Sequence, residues 1–164
     1  MSADLEGNKD ILELYQDIIL NHSKEPRNIG ILNDPDCCFS EINPLCGDKV
    51  TVSILFNKKG CIKSILFDGK GCAISIASAS MMTESVNGML KDDVFLLAEG
   101  VEKFCKQTNS IDEILDLFEF HIRKPLSTLK ALSGVRNFPA RLRCVTLPWE
   151  ALISCIKNKD MIKQ

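Results

Sequence analysis

Three of the eight cysteines in this 164-residue chain stand where they could act together: Cys46, Cys72 and Cys144. Cys46 lies in the run Asn43-Pro44-Leu45-Cys46-Gly47-Asp48, just ahead of a strand pattern. Pro44 stiffens the approach, and Gly47 lets the backbone turn so that thiolate and carboxylate face one point. Cys72 follows Gly69-Lys70-Gly71, expected to be a flexible turn, and opens the charge-free helix Ala73-Ile74-Ser75-Ile76-Ala77-Ser78-Ala79-Ser80. A thiol at a helix N-terminus meets the positive end of the macrodipole, which favours the thiolate. Cys144 closes Pro139-Ala140-Arg141-Leu142-Arg143-Cys144, where two arginines push the same way. Three thiolates and one carboxylate, from Asp48, make four donors, the number tetrahedral zinc takes. Thiolate-rich sites also suit ferrous iron and iron–sulfur clusters. The three cysteines lie 26 and 72 positions apart, so three chain segments must meet at one end of the fold. Composition and spacing alone equally allow three unrelated cysteines beside turns.

The remaining candidates carry less. There is no CxxC pair, so a thioredoxin-type motif and a zinc ribbon are both excluded. Cys61 in a strand pattern, Cys105 beside Phe104 and Cys155 beside Ile153 and Ile156 are expected to be small core residues. Cys37 and Cys38 follow Asn33-Asp34-Pro35-Asp36, and nothing near them in sequence suggests chemistry. His22 ends the first predicted helix and needs no catalytic role, and His121 falls in a later helical stretch away from the three cysteines. A hydrolase pairing Cys72 with either histidine would lack an oxyanion hole and an orienting third residue. The Gly69-Lys70-Gly71 turn lacks the frame of a phosphate-binding loop.

The elements that must position the three cysteines follow from periodicity. Residues 10–22 read as an amphipathic helix, with Ile11, Leu12, Tyr15, Ile18 and Ile19 at helical spacing. Pro26 through Pro35 predicts an ordered, turn-rich loop, and residues 36–43 a weak first strand. Val50, Val52, Ile54 and Phe56 alternate with polar residues, and Asn57-Lys58-Lys59-Gly60 turns that strand back onto a second over 61–67. From Ala73 the period is helical. Val94, Leu97, Ala98, Val101 and Phe104 form one apolar stripe, and Ser110-Ile111-Asp112-Glu113 fits a capping box ahead of Ile114, Leu117 and Phe118. Pro125 is expected to start a short helix that Gly134 ends, and Thr146, Pro148 and Trp149 to lead into the last helix. Strands first and helices later predict one α+β domain over 1–164, a small three-stranded antiparallel sheet with helices on one face. The ends, 1–9 and 158–164, are expected to fray.

Twenty Lys and Arg against 22 Asp and Glu leave a formal net charge of −2, which argues against coating nucleic acid or an anionic membrane. The longest charge-free apolar candidate, Gly71 to Thr83, is too short to cross a bilayer. The opening MSADLEGNKD is acidic and polar, unlike a secretory signal, so a cytoplasmic, thiol-reducing location is expected. A disulfide framework is therefore not the reading for eight cysteines.

Taken in order, the Cys46-Gly47-Asp48 run, the Gly69–Ser80 run and Phe138-Pro139-Ala140-Arg141-Leu142-Arg143-Cys144 resemble the three-segment signature of the IscU/NifU-like family of iron–sulfur cluster assembly proteins. Leu14-Tyr15-Gln16-Asp17-Ile18-Ile19-Leu20-Asn21-His22 and Glu25-Pro26-Arg27-Asn28-Ile29-Gly30 match it too, so the resemblance runs from about residue 11 to 157. The scaffold branch of that family carries a histidine just before the third cysteine and a Leu-Pro-Pro-Val-Lys string upstream. Here Arg143 and Asn137-Phe138-Pro139-Ala140-Arg141 stand in those places, and the stretch between Cys72 and Cys144 is longer, with 105–124 least covered. Those departures resemble the SufU branch.

The resemblance implies metal or cluster ligation by Cys46, Asp48, Cys72 and Cys144. It implies Zn2+, with an iron–sulfur cluster or iron on the same donors as the alternative. The partner it implies is a SufS-type cysteine desulfurase, with apo-proteins or a cluster scaffold downstream. In that picture Cys46, on a mobile loop, takes persulfide sulfur, and Cys144 is the second candidate acceptor. Arg141 either hydrogen-bonds a thiolate or the partner, or is a surface charge. A third reading, from a different class, is a binding module whose zinc only holds the fold together.

Overall fold

The computed structural model describes residues 2–162. The alternating segments form a three-stranded antiparallel sheet, β1 (Cys37–Asn43), β2 (Asp48–Phe56) and β3 (Ile62–Lys70), ordered β1-β2-β3. Asn57 closes the β2–β3 turn, its side-chain carbonyl accepting from the backbone N–H groups of Lys59 and Cys61 at 2.9 and 3.0 Å. Gly60 supplies the left-handed backbone that this turn needs, with φ +84°. The second strand differs from the expected 61–67: it starts at Ile62 and runs on through Lys70. Gly69 and Lys70 are therefore strand, not flexible turn, and pair with Val50 and Lys49. Glycine is suited to that place because a Cβ there would lie 2.9 Å from the Lys49 carbonyl oxygen. Cys61 sits just outside the strand, half-buried and bridged to Leu90, rather than in the core.

The described residues form six α-helices, packed on one side of the sheet: α1 (Ser2–Lys24), α2 (Ala73–Val86), α3 (Lys91–Lys106), α4 (Ile111–Leu115), α5 (Phe120–Ser127) and α6 (Leu142–Ile162). Of the ends expected to fray, Met1 and residues 163–164 lie outside the described residues, while 2–9 and 158–162 continue α1 and α6. Helix α6 packs on β1 and β2, α2 on β3 and α6, and α1 on α2. Val50, Val52 and Ile54 are fully buried beneath them. On the opposite face the 26–36 loop crosses the sheet, as an ordered loop should. Ile29 bridges to Phe67, the Leu32 N–H donates to Ser53 Oγ at 3.0 Å, and the Asp36 N–H donates to the Ile54 carbonyl at 2.8 Å.

Both predicted proline boundaries lie inside helices. Pro125 is within α5, and the 3-10 stretch Lys130–Asn137 that follows contains Gly134 instead of ending at it. Pro148 sits within α6, which begins at Leu142. An interior proline costs about 3 kcal/mol, while each fully buried aliphatic side chain contributes about 1.5–3 kcal/mol. Val145, Leu147, Leu152 and Ile156 are all fully buried along α6, so burial outweighs the proline. The least-covered stretch, 105–124, forms α4 and α5, with Ile114, Leu115, Phe118 and Ile122 buried. Ser110 caps α4 as predicted, accepting from the Glu113 N–H at 3.2 Å, whereas Leu117 lies beyond the helix and is exposed.

Helix α3 buries the predicted stripe and meets α5 closely at Gly100. A Cβ at Gly100 would lie 2.5 Å from Leu126 Cδ2 and 2.7 Å from Cδ1, and Leu126 is fully buried. Overpacking costs about 1–3 kcal/mol, against about 1 kcal/mol gained by replacing a mid-helix glycine. Gly100→Ala is expected to lower stability by up to about 2 kcal/mol, read as a lower urea midpoint with unchanged slope. A raised midpoint would mean that α5 yields freely.

Candidate metal centre

The turn Pro44–Gly47 joins β1 to β2 and carries Cys46 at its exposed tip. Gly47 adopts φ +77° and donates its N–H to the Asn43 carbonyl at 2.8 Å, while the Leu45 N–H reaches Asn43 Oδ1 at 3.2 Å. Asn43 and Asp48 are the last β1–β2 pair, and both are buried, at 5% and 3% exposure. A carboxylate buried to that degree requires partners, and α2 supplies them. Ser75 Oγ donates to Asp48 Oδ2 at 2.7 Å, the Cys72 N–H donates to Oδ1 at 3.2 Å, and the Cys72 thiol lies 3.9 Å from Oδ2.

Cys144 is buried in the first turn of α6. One donor atom each from Cys46, Asp48 and Cys144 lies within 4.8 Å of the others; Cys72 falls outside that group but lies 3.9 Å from the same carboxylate. Ser78 holds the two cysteine-bearing helices in register by donating to the Val145 carbonyl at 2.7 Å. At Gly71 a Cβ would sit 2.7 Å from Asp48 Oδ1, so only glycine leaves room for the carboxylate.

Electrostatics separates the thiols. Burial works against the Asp48 charge, but hydrogen bonds from Ser75, Cys46, the Cys72 backbone and Cys144 outweigh it and hold its pKa below the ordinary value. Burial likewise opposes the Cys72 thiolate, yet Ser75, Cys144 and the first N–H groups of α2 win, so its pKa is lowered as expected for a helix N-terminus. Cys144 is pushed up to about 12, by burial first and then by its neighbour Cys72. Arg141 faces Cys144 and Cys72 from the solvent side and is held protonated by them. Three thiols and a buried carboxylate gather more potential negative charge than one exposed guanidinium offsets, which fits a bound cation. The soft donors fit zinc or iron in particular.

Residues 14–114 match the NifU-like N-terminal domain family. The chain is 35% identical over 153 residues to the zinc-dependent sulfurtransferase SufU of Bacillus subtilis, covering 93% of this chain and 96% of that protein.

The chain belongs to the NifU-like family.

It is also 35% identical over 145 residues to the iron–sulfur cluster assembly scaffold protein IscU of Streptococcus pyogenes, covering 88% and 84%. A solved structure from Fervidobacterium islandicum AW-1, described as an iron–sulfur cluster assembly scaffold for the SUF system, superposes with a TM-score of 0.71 at 27% identity, covering 85% and 93%. The family match holds Cys46, Asp48 and Cys72, and the longer alignment to SufU takes in Cys144.

Sequence reasoning missed Ser75, whose spacing three residues after Cys72 at a helix start was the available signal. His121 lies by Asp93 at 3.2 Å and His22 Nδ1 bonds Ser80 at 2.8 Å, so neither joins the NifU-like centre. Cys105 is buried as expected, its thiol pushed up to about 12 by burial. Cys37, which had no sequence role, does have a neighbour: its sulfur lies 2.6 Å from that of buried Cys155.

Proposed function

We propose that this NifU-like chain is a zinc-binding sulfur acceptor in iron–sulfur cluster assembly, taking persulfide sulfur from a SufS-type cysteine desulfurase in the cytoplasm. The observation that carries the reading is the gathering of Cys46, Asp48 and Cys144, with Cys72 against the same carboxylate. Cys46, Asp48, Cys72 and Cys144 would hold the zinc. Bound there, the ion would keep its thiolate donors deprotonated at neutral pH.

The chain's own residues divide the remaining work. Cys46, exposed on its turn, attacks the terminal sulfur of the partner's persulfide. A bond forms from Cys46 Sγ to that sulfur, the partner's S–S bond breaks, and its cysteine leaves as thiolate. Asp48, held by Ser75 and the Cys72 N–H, keeps Cys72 and Cys144 facing one point. Arg141 compensates their charge from solvent. Apo-proteins or a cluster scaffold would receive the sulfur.

The scaffold reading places a cluster on the same donors. One feature favours relay: Arg143, at the position where the resemblance to the scaffold branch would call for histidine, points along α6 to Glu150 at 3.5 Å and offers no ligand. Protein purified without added metal is expected to carry about one zinc per chain and to accelerate alanine release by a purified desulfurase. A brown chromophore on iron and sulfide supply, without that acceleration, would establish the scaffold instead. Zinc without acceleration would leave only the structural binding module.

A further inference from the structure

Away from the metal centre, β1 and α6 bring a second pair of thiols together. Cys37 opens β1 and is half-buried, while Cys155 on α6 is fully buried. Their sulfurs are 2.6 Å apart across 118 residues of chain. The Cys155 thiol also lies 3.8 Å from the Val52 carbonyl, which places it against the sheet. Cys38 cannot substitute for its neighbour, because strand alternation turns it to the exposed face.

The surroundings of Cys37 are those of a reactive thiol. Lys159 is 3.4 Å from Asp36 and lies 4.3 Å over the Phe56 ring, and Lys91 lies 4.8 Å from the same ring. The Cys155 hydrogen bond lowers the Cys37 pKa most. Burial opposes it, the Lys159 and Lys91 ammonium groups assist, and Asp36 works against them. Cys155 is held protonated, by its bond to Cys37 and then by burial. One thiol is thus the accessible nucleophile and the other a protonated thiol in contact with it.

We propose that Cys37 and Cys155 form an oxidisable dithiol site that a hydroperoxide converts to an intramolecular disulfide. The Cys37 thiolate attacks one peroxide oxygen, the O–O bond breaks, and the other oxygen leaves as hydroxide or alkoxide, protonated by solvent. Cys37 is then a sulfenic acid. The Cys155 sulfur attacks the Cys37 sulfur, the S–O bond breaks, and the oxygen departs as water with the Cys155 proton. Two thiols lose two electrons in all, and the peroxide gains them. A small dithiol reductant reverses the step.

The site is independent of the metal centre. Cys37 is the first and Asn43 the last residue of β1, about 20 Å apart along the strand. Cys144 and Cys155 are separated by about 16 Å along α6. The disulfide would therefore staple β1 and α6 at their ends remote from Cys46 and Cys144.

The test treats zinc-loaded wild-type protein with hydrogen peroxide, blocks free thiols, and maps peptides without reduction. The expected product is a Cys37–Cys155 linked peptide, two hydrogens lighter than the free pair. It should be accompanied by a Tm raised by roughly 5–10 °C. Cys37→Ser should fold with the wild-type circular dichroism, give no linked peptide and show no Tm rise. Recovery of both cysteines as alkylated thiols would overturn the proposal, as would Cys37 overoxidised or linked to any other cysteine. Because the linked peptide is sought in the wild-type chain, a variant that failed to fold would not change the outcome.

Discussion

Cys46→Ala is expected to abolish sulfur acceptance while leaving the fold intact. The side chain is exposed at the tip of the β1–β2 turn, so in the metal-free chain its loss should change stability by no more than about 0.5 kcal/mol. The effect on chemistry is all-or-none, because no bond to the incoming sulfur can form at alanine. The measurement is the intact mass of the chain after incubation with desulfurase and cysteine. Wild type should gain sulfur, and the variant should gain none and no longer accelerate the desulfurase. Cys144→Ala is the informative companion: its thiol is buried, so an incoming persulfide meets it less readily than the exposed Cys46. Loss of acceptance in Cys144→Ala with acceptance intact in Cys46→Ala would reverse the two roles.

Gly71→Ala is expected to cost the protein its metal without touching a donor. The added Cβ would stand 2.7 Å from Asp48 Oδ1 and 2.9 Å from Cγ, closer than such atoms approach. The carboxylate must swing away from Ser75 Oγ and the Cys72 N–H, and hydrogen bonds to a charged group are worth about 1.5–3 kcal/mol each. Disturbing groups that orient a ligand lowers metal affinity by about 10–100-fold, so a loss at the upper end or beyond is expected here. Competition against a chromophoric chelator reads the loss directly, with Asp48→Ala as the reference. Wild-type affinity in Gly71→Ala would mean that Asp48 can leave its present position and that the ion does not depend on it.

Much of the molecule was legible in its sequence. The strand alternation at 50–56, the Ser110 cap and the helical stripe of α3 are local signals, and each led to the right element. Local signals marked the turns and helix starts at Cys46, Cys72 and Cys144, but their grouping with Asp48 as one ligand set came from the family resemblance, since spacing alone equally allowed unrelated cysteines. The misreadings are tertiary in origin. Pro148 ordinarily ends a helix, yet the buried face on both sides carries α6 through it. Gly69 and Lys70 looked like a turn because strand pairing at a glycine leaves no alternation to detect. Ser75 and the Cys37–Cys155 contact could not be seen at all, since each depends on partners distant in sequence.

Helix α2 is buried almost all round, so hydrophobic packing by itself prescribes no unique rotation about its axis. Its hydroxyls do. Ser75 engages Asp48, Ser78 the Val145 carbonyl, Ser80 the Arg27 N–H, and Thr83 Oγ1 the Asn28 amide. These four act as keys around a cylinder, fitting locks on three neighbours: β2, α6 and the loop after α1. An α2 with only these four residues changed to alanine would keep its oily bulk and lose its angular setting, and a slip of one residue would carry Cys72 roughly 100° around the axis.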